Sequence, residues 1–332
     1  MHINEIRREL KFNTELVQLI DTLKNIAAAQ YQLMEKQKQR FYEFMAAFDG
    51  FFRVVSLVDV MNPLVRASSD VLGIVVLTSD SGFMGGLNQG VVRTALQVQG
   101  NLEDEQTALV VIGDKGALAF DAMGRRFRFF PGIHPETLYE QSLEVRDYIV
   151  SEVLAGRMGR VTVVYPKPLS FTAQTVEVLR LLPCAELFEP RAEARTNTAQ
   201  PAGESLRTRL AARARRVIVE SSFADIAEYL ATLWVSAKLF EVFEDGKLAE
   251  FSARAVHLEG SHQKLQQQQR KIRQMFFKAV HEKIDKGMRE SFAAVKTRKK
   301  RLQRVADAAA RSAHDAALEA PAPSREEVAA LR

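Results

Sequence analysis

Apolar residues in the first 55 positions recur at alternating intervals of three and four, which is the heptad pattern of a coiled coil. Counted from Ile3, thirteen of the sixteen positions in this series are apolar, and only Asn13, Lys24 and Lys38 interrupt it. No proline breaks the segment. The pattern predicts one helix over residues 1–62, with about 80 Å of continuous heptads at 1.5 Å per residue, which is longer than a globular domain of this size needs.

From residue 71 onward, short aliphatic runs alternate with helical segments. The runs VLGIVVL, ALVVIG and VTVVY are almost entirely apolar, as expected of strands that are buried on both faces. RFRFF and residues 174–182 are predicted to be two further strands, and helices are predicted at 89–98, 115–124 and 136–154. This alternation predicts a small Rossmann-like α/β domain over residues 70–189.

The helical pattern returns after residues 190–216, which are rich in Ala, Arg, Pro and Thr and are interpreted as a flexible loop. Ser221 or Ser222 is the expected N-cap of the second long helix. We assign residues 217–295 to this helix and residues 296–332 to a basic, alanine-rich extension.

The predicted fold class is α/β, with the small Rossmann-like domain between two long terminal helices that form an antiparallel coiled coil. Ile20 and Ala27 are expected to face the second helix, because a largely apolar seam must be covered. The stretch at 261–274 contains only two aliphatic residues, so we expect a helix largely surrounded by water or by a loose cavity. Enzymes seldom need a rod, whereas shafts, adaptors and scaffolds do.

Composition excludes several protein classes. Hydrophobic residues make up 47% of the 332 residues, enough to form a core. The 46 basic and 41 acidic residues give a formal charge of +5, which argues against a dedicated nucleic-acid binder. The single cysteine, Cys184, excludes a disulfide framework and a cysteine-based zinc site. The charged N-terminus and the short apolar runs predict neither a signal peptide nor a membrane span.

The glycine-rich segment GFMGGLN follows the first predicted strand and invites a nucleotide-binding interpretation. It matches neither phosphate-binding glycine motif, and no lysine follows the glycines. The alternative is a tight strand-to-helix turn in which glycines supply positive φ and Asn88 caps the helix. The residues assigned to this structural turn are Asp80, Gly82, Gly85, Gly86 and Asn88.

No catalytic, cofactor-binding or metal-binding constellation stands out in the sequence. His257 and His262 are five positions apart, which places them about 140° apart around a helix, so one metal ion could not use both. Cys184 has no histidine near it in the sequence, and TSDS lacks the context of a serine nucleophile. We therefore expect a protein that is not itself an enzyme and has no cofactor.

Several segments resemble one known family. LTSDSGFMGGLN is similar to a Ser-Thr-Asp-Arg-Gly-Leu-Cys-Gly-Gly-Leu-Asn block, and VVYPKPLSFTAQTVEVLRLLP and RKIRQMFFK are similar to later segments. With the order helix, α/β domain, helix, they resemble the gamma subunit, or central stalk, of the F-type ATP synthase over about residues 1–290. The chain departs from that family at EDGKLAEFSAR, where Gly246 lies inside a helix, at Arg270 and Lys278, and in its tail.

The resemblance implies a rotor that couples ion flow through a membrane c-ring to ATP synthesis or hydrolysis on a ring of alpha and beta subunits. It implies alpha, beta, epsilon and c-ring partners, no nucleic acid, and a peripheral location on the cytoplasmic face of the inner membrane. Arg273 and Gln274 match the family positions that contact the beta-subunit catch loop. The alternative is a free-standing coiled-coil adaptor or nucleic-acid-associated rod that uses the basic run at 296–304.

Overall fold

The structure is a computed structural model that describes residues 3–55, 62–184 and 223–319. Its helices are α1 (Ile3–Val55), α2 (Leu87–Gln99), α3 (Asp114–Ala122), α4 (Leu138–Leu154) and α5 (Phe223–Glu319), with a short 3-10 helix at Asp104–Gln106. Its strands are β1 (Leu72–Leu77), β2 (Thr107–Ile112), β3 (Arg128–Phe130), β4 (Arg160–Ser170) and β5 (Ala173–Leu182). The two long helices and the alternating strands and helices predicted from the sequence are confirmed.

The five strands form one mixed sheet in the order β3-β2-β1-β4-β5. β1 pairs in parallel with β2 and β4, β2 pairs in parallel with β3, and β4 and β5 are antiparallel. β4 is longer than the predicted strand VTVVY, since it continues through Pro166 and Pro168 to Ser170. Its pairing with β1 stops at Val164, so beyond that point one edge of β4 is unpaired and tolerates residues without an N–H group.

Helices cover both faces of the sheet. Alternate strand residues point to opposite sides, so each face contributes to its own core. Val75 and Leu77 of β1 face a core that also contains side chains of α4 and α5, whereas Ile74 and Val76 face a second core. The second core is completed by Val91, Val92 and Ala95 of α2 and by Phe120 of α3. The small α/β domain is therefore a layered fold in which α5 covers one face of the sheet.

The chain divides into two compact units. The central unit is Val17–Lys264, and the terminal unit is Met1–Leu16 with Leu265–Arg332. In the part of the chain with described side chains, the buried residues of α1 follow the predicted heptad series; they are Ile6, Asn13, Ile20, Ala27, Tyr31 and Met34. The burial of Ile20 and Ala27 agrees with their expected place in the seam.

Within the central unit, α1 and α5 pair antiparallel. Lys24 Nζ lies 3.2 Å from Glu259 Oε2, and His262 Nε2 lies 3.8 Å from Asp21 Oδ1, so three residues forward on α1 correspond to three residues back on α5.

The terminal unit shows the same antiparallel arrangement. Gln269 Nε2 donates to Thr14 Oγ1 at 2.8 Å, and the Arg7 guanidinium lies 5.8 Å from the centre of the Phe276 ring. A shift of seven residues along α1 therefore matches a reverse shift of seven along α5. The predicted antiparallel pairing is confirmed in each unit.

Some predictions fall outside the described residues, namely the loop at 190–216 and the N-cap at Ser221 or Ser222. The predicted boundary between the second helix and its extension, at 295–296, lies inside the continuous helix α5. None of the helices in the described part of the chain has an apolar stretch long enough to cross a membrane.

Candidate functional site

The turn that follows β1 is held together by Asp80. Its Oδ1 accepts hydrogen bonds from the backbone N–H groups of Asp114, at 2.9 Å, and Gly132, at 3.1 Å. These two residues follow β2 and β3, whose carboxyl ends meet at the same edge of the parallel sheet. A side chain at Gly132 would collide with the Asp80 carboxylate. Asp80 therefore ties together the ends of three strands.

Asn88 does not cap α2, and this prediction is wrong. The N-cap position is Gly86, at φ −90°, and no side chain caps the helix there. Asn88 instead bonds back to the end of β1: its Oδ1 accepts from the N–H of Ser79 at 3.2 Å, and its Nδ2 donates to Ser79 Oγ at 2.9 Å. The amide joins the first turn of α2 to the strand before it, a contact that residue spacing alone does not reveal.

Positive φ is needed at one of the three predicted glycines. Gly85 has φ +60°, and the other residue of this turn in the left-handed region is Phe83, at φ +64°. The Phe83 side chain is exposed and lines an open groove of about 610 Å³ that also contains Arg93 and Lys115. Gly82 has open space where a side chain would lie. Of the three predicted glycines, only Gly85 therefore supplies the positive φ that the turn interpretation expected, while Gly82 and Gly86 do not.

The turn is also where α5 rests against the end of β1 within the central unit. A Cβ added to Gly246 would lie 2.5 Å from Leu77 Cδ2, so glycine allows the helix to approach the strand closely. Arg254 Nη2 donates to Ser81 Oγ at 2.9 Å and to Glu250 Oε1 at 2.5 Å. The turn therefore forms a platform for α5, and Gly246, which departs from the family pattern, has a packing role.

The contacts that hold α5 to the turn were not found from the sequence. Lys247 Nζ lies 2.6 Å from Glu250 Oε2, so Glu250 accepts from two cations, Lys247 and Arg254, and all three side chains are largely buried. The available signal was the four-residue spacing of Glu250 and Arg254, which places oppositely charged side chains together on a helix. The contact of Ser81 with α5 could not have been predicted, because its partner Arg254 is 173 residues away in the chain.

A second group of charges lies between α1 and α5 in the central unit. Lys24 Nζ lies 2.8 Å from Asp21 Oδ1 and 3.2 Å from Glu259 Oε2. The hydrogen bond from Lys24 lowers the pKa of Asp21, and the hydrogen bonds from Gln263 and Lys24 lower the pKa of Glu259. The hydrogen bond to Asp21 raises the pKa of Lys24. This polar interruption of the heptad series is therefore an interhelical ion pair.

Arg273 and Gln274 lie on α5 in the terminal unit, and both are exposed. The residue before them, Ile272, is buried in the helix pair. The Arg273 guanidinium lies 5.9 Å from the centre of the Phe277 ring, which is itself half exposed. The two side chains are thus displayed away from the seam, where a guanidinium and an amide can bind carboxylates or backbone groups of another protein.

The cysteine and two of the histidines that could act as a nucleophile or as metal ligands have other surroundings in the structure. The Cys184 thiol is buried, donates to the backbone oxygen of Leu64 at 3.1 Å, and has a pKa raised by burial to about 12. Since the thiolate is the nucleophile, this cysteine is inert. His257 lies against Gly85, and His262 lies beside Asp21. Among the described residues, no three metal-ligating side chains form a group that could hold an ion.

Comparison with known proteins gives one consistent family. A family model described as ATP synthase matches residues 2–296. The ATP synthase gamma chain of Desulforudis audaxviator is 30% identical over 61% of this chain and 66% of its own length. The gamma chain of a Synechococcus strain is 24% identical over 76% of this chain and 85% of its own. The match to the first of these relatives spans slightly less than two thirds of its length.

Solved structures share the fold. The rotor of the Euglena gracilis mitochondrial ATP synthase superimposes with a TM-score of 0.60 at 16% identity, covering 85% of this chain and 98% of that one. The central stalk and c-ring structure from Tetrahymena thermophila gives a TM-score of 0.52 at 14% identity, covering 73% of this chain and 99% of that one. At these identities the likeness concerns the fold.

Proposed function

We propose that this chain, which belongs to the ATP synthase gamma-chain family, is the central rotor shaft of an F-type ATP synthase. It would couple ion flow through a membrane c-ring to ATP synthesis or hydrolysis on a ring of alpha and beta subunits. The observation that carries the proposal is the antiparallel pairing of α1 and α5 in each unit, together with an α/β domain held against α5. A paired helix resists bending and twisting better than a single one, as a shaft requires.

The proposed division of labour follows the segments of the chain. Residues 1–62 and 217–295 form the shaft inside the ring, and the domain at 70–189 contacts the epsilon subunit and the c-ring. The chain itself supplies no catalytic residue, and the complex holds it at the cytoplasmic face of the inner membrane. Residues 190–216 and 296–332 are additions whose roles are separate from this common plan.

The proposed mechanism is differential contact. A shaft that differs around its circumference presents a different surface to each catalytic subunit, so its angle changes the affinity of each site for nucleotide. Arg273 and Gln274 are the proposed contacts with the beta-subunit catch loop. Their exposure beside the buried seam supports this role, because a guanidinium forms charge-assisted hydrogen bonds with carboxylates.

Co-expression with alpha and beta subunits tests the proposal. The full chain should co-purify with both subunits as a stable complex that hydrolyses ATP, and omission of this chain should abolish the complex or its turnover. Failure to form such a complex under conditions where alpha and beta subunits assemble would contradict the rotor assignment. ATP hydrolysis by the isolated chain would contradict the proposed non-catalytic role.

A second candidate function is a free-standing adaptor or nucleic-acid-associated rod. The exposed basic residues of α5 between 296 and 304 favour it, because six cations on one helix segment attract nucleic acid. Retention of DNA by the purified chain at physiological salt, with no complex formed with alpha and beta subunits, would support this function instead.

A further inference from the structure

The groove between α2 and α3 has the size of a small-molecule site. One wall is a single face of α2, with residues spaced three or four apart. This wall comprises Gln89, Val92, Arg93 and Leu96. The other wall comprises Lys115, Ala119 and Met123 of α3. We call this space the α2–α3 groove. Its volume of about 610 Å³ lies within the range of about 300–1,000 Å³ that is typical of ligand pockets.

Each wall of the α2–α3 groove carries one cation. Arg93 of α2 and Lys115 of α3 are exposed, and neither side chain has a hydrogen bond or ion pair with the described residues. No acidic side chain is among the described residues that line the groove. This uncompensated positive charge attracts an anion to the space between the two helices.

The backbone that carries Lys115 is fixed by the end of β1. The Lys115 N–H donates to the backbone oxygen of Ser79 at 3.0 Å, and the neighbouring Gly116 N–H donates to Thr78 Oγ1 at 2.9 Å. These bonds join the start of α3 to the strand. Because a group that is already held in place loses less freedom on binding, Lys115 is well placed to hold an anion.

Phe83, which also lines the groove, has an unfavourable backbone conformation. Its φ of +64° belongs to the left-handed region, which a bulky residue rarely adopts. The residue is 58% exposed, so burial of its own ring does little to offset the strain. Strained residues of this kind cluster at binding sites, and an exposed aromatic ring can stack against a flat ring of a ligand. Phe83 thus offers an aromatic surface beside the two cations.

These groups together select the chemistry of the ligand. Inorganic phosphate would contact the cations but leave Phe83, Val92 and Leu96 without a partner. A flat apolar molecule without charge would leave Arg93 and Lys115 without one. A nucleoside phosphate satisfies both sets, because its base is flat and aromatic and its phosphates are negatively charged.

We propose that the α2–α3 groove binds a nucleoside polyphosphate such as ATP, with the base against Phe83 and the phosphates held by Arg93 and Lys115. The glycine turn borders this ligand without wrapping around its phosphates, so the site does not require a phosphate-binding glycine motif. Binding is reversible and includes no chemical step. The inference concerns the α/β domain alone and does not depend on the proposed rotor function.

Calorimetric titration of the purified full chain with ATP, tripolyphosphate and adenosine tests the proposal. The variant Arg93→Gln with Lys115→Gln removes both cations of the groove. The matched control, Arg160→Gln with Arg180→Gln, removes two exposed cations of β4 and β5 that do not line the groove. Both variants change the net charge equally, and circular dichroism checks that each remains folded.

A second pair of variants tests the aromatic contact. Phe83→Ala removes the ring but keeps a Cβ, so the backbone strain at this position is retained. Phe129→Ala is its control, because Phe129 is 43% exposed and does not line the groove.

We expect the wild-type chain to bind ATP with a Kd below about 1 mM, and tripolyphosphate and adenosine more weakly. Loss of both cations should weaken ATP and tripolyphosphate at least about tenfold, because hydrogen bonds to charged groups are the strong ones. Phe83→Ala should weaken ATP at least about fivefold and leave tripolyphosphate unchanged. Both control variants should bind like wild type.

Several results would overturn the proposal. These are a wild-type Kd for ATP above about 1 mM, or an equal loss of affinity in the two cation variants. Equal affinity for ATP and tripolyphosphate, with no effect of Phe83→Ala, would leave an anion site that does not recognise nucleotides. Tighter binding of a glutamate-rich peptide or a short single-stranded oligonucleotide than of ATP would assign the groove to an acidic protein or to nucleic acid. None of these results would bear on assembly with alpha and beta subunits, so the rotor function is tested separately.

Discussion

The close approach of α5 to β1 can be tested by adding one methyl group at Gly246. A Cβ there would lie 2.5 Å from Leu77 Cδ2, whereas non-bonded carbon atoms attract at about 3.5–4.0 Å. Leu77 is buried in the core that includes α5, so Gly246→Ala must displace Leu77 or lift the helix. Gly260 is the matched control, because it lies in the same helix and the same unit and has open space around its Cβ position.

The expected magnitudes come from two opposing effects. Alanine is favoured over glycine in a helix interior by about 1 kcal/mol, so Gly260→Ala should stabilise the fold by up to that amount. Overpacking of a core costs about 1–3 kcal/mol, which should cancel or exceed the gain at Gly246. In a Leu77→Ala background, which itself costs about 2–5 kcal/mol, the obstructing methyl groups are absent. Gly246→Ala should then behave like the control.

Urea unfolding followed by tryptophan fluorescence measures these differences. The single tryptophan, Trp234, lies in α5 and packs against the core on that face of the sheet, so its emission reports the contact being tested. We expect a lower midpoint for Gly246→Ala than for wild type, and an unchanged or higher one for Gly260→Ala. A gain at Gly246 equal to that at Gly260, or a loss that persists in the Leu77→Ala background, would refute the packing argument.

Three further predictions concern the turn, the exposed shaft surface and the interhelical charges. Gly85→Val places a β-branched residue at φ +60°, so it should cost about 1–3 kcal/mol and lower the yield of assembled complex. Arg273→Ala with Gln274→Ala should lower ATP turnover of the reconstituted complex without changing its assembly on gel filtration. Asp21→Asn should lower the urea midpoint at neutral pH, and this difference from wild type should shrink as the pH falls below 3.8, the ordinary pKa of the carboxyl, because protonation removes its attraction to Lys24.

The sign of the pH effect follows from the lowered pKa of the folded protein. A carboxyl whose pKa is lower in the folded state contributes stability above its ordinary pKa and loses it as the pH falls through the folded value. The exposed pair of Lys11 and Glu15, at 3.8 Å on α1, offers a comparison: Glu15→Gln should have little effect at any pH. A pH-independent difference for Asp21→Asn would contradict the ion-pair argument.

Controls for the other two predictions use neighbouring residues. Gly82→Val tests the turn without requiring positive φ, since Gly82 is not in the left-handed region and has open space around it; a loss of assembly equal to that of Gly85→Val would count against backbone strain. Arg270→Ala with Lys271→Ala removes exposed charge one helical turn away; an equal loss of turnover would show that the effect is not specific to Arg273 and Gln274. Tight ATP binding that disappears in Gly85→Val would favour a nucleotide site.

Patterns local in the sequence predicted most of the fold. Heptad spacing in α1 and aliphatic runs in β1, β2 and β4 involve only residues that are close together in the chain. These elements can therefore be predicted without knowledge of tertiary contacts. The role of Asn88 was missed. An asparagine at this turn can either cap the helix or form hydrogen bonds with Ser79, and the sequence does not distinguish the two roles. Gly246 looked like a defect inside a helix, since the residue that requires it, Leu77, lies far away in the chain.

The candidate site was less predictable than the fold for the same reason. Asp80 could be assigned to the turn, but its acceptance of two backbone N–H groups depends on where β2 and β3 end. The contact between Arg254 and Ser81 joins segments that have no common sequence pattern. The exposure of Arg273 depends on which face of α5 packs against α1. That face is known only once the pairing of the two helices is seen in the structure.

Observation of rotation in single complexes tests the rotor assignment most directly. Cys184 is buried and its pKa is raised to about 12, so a Leu118→Cys variant, at an exposed position on α3, should accept a bead through its new thiol alone. With the alpha and beta subunits fixed to a surface, we predict that ATP drives the bead in one direction, at a rate that rises with ATP concentration. ATP hydrolysis by the same complexes while the attached bead stays at a fixed angle would contradict the account.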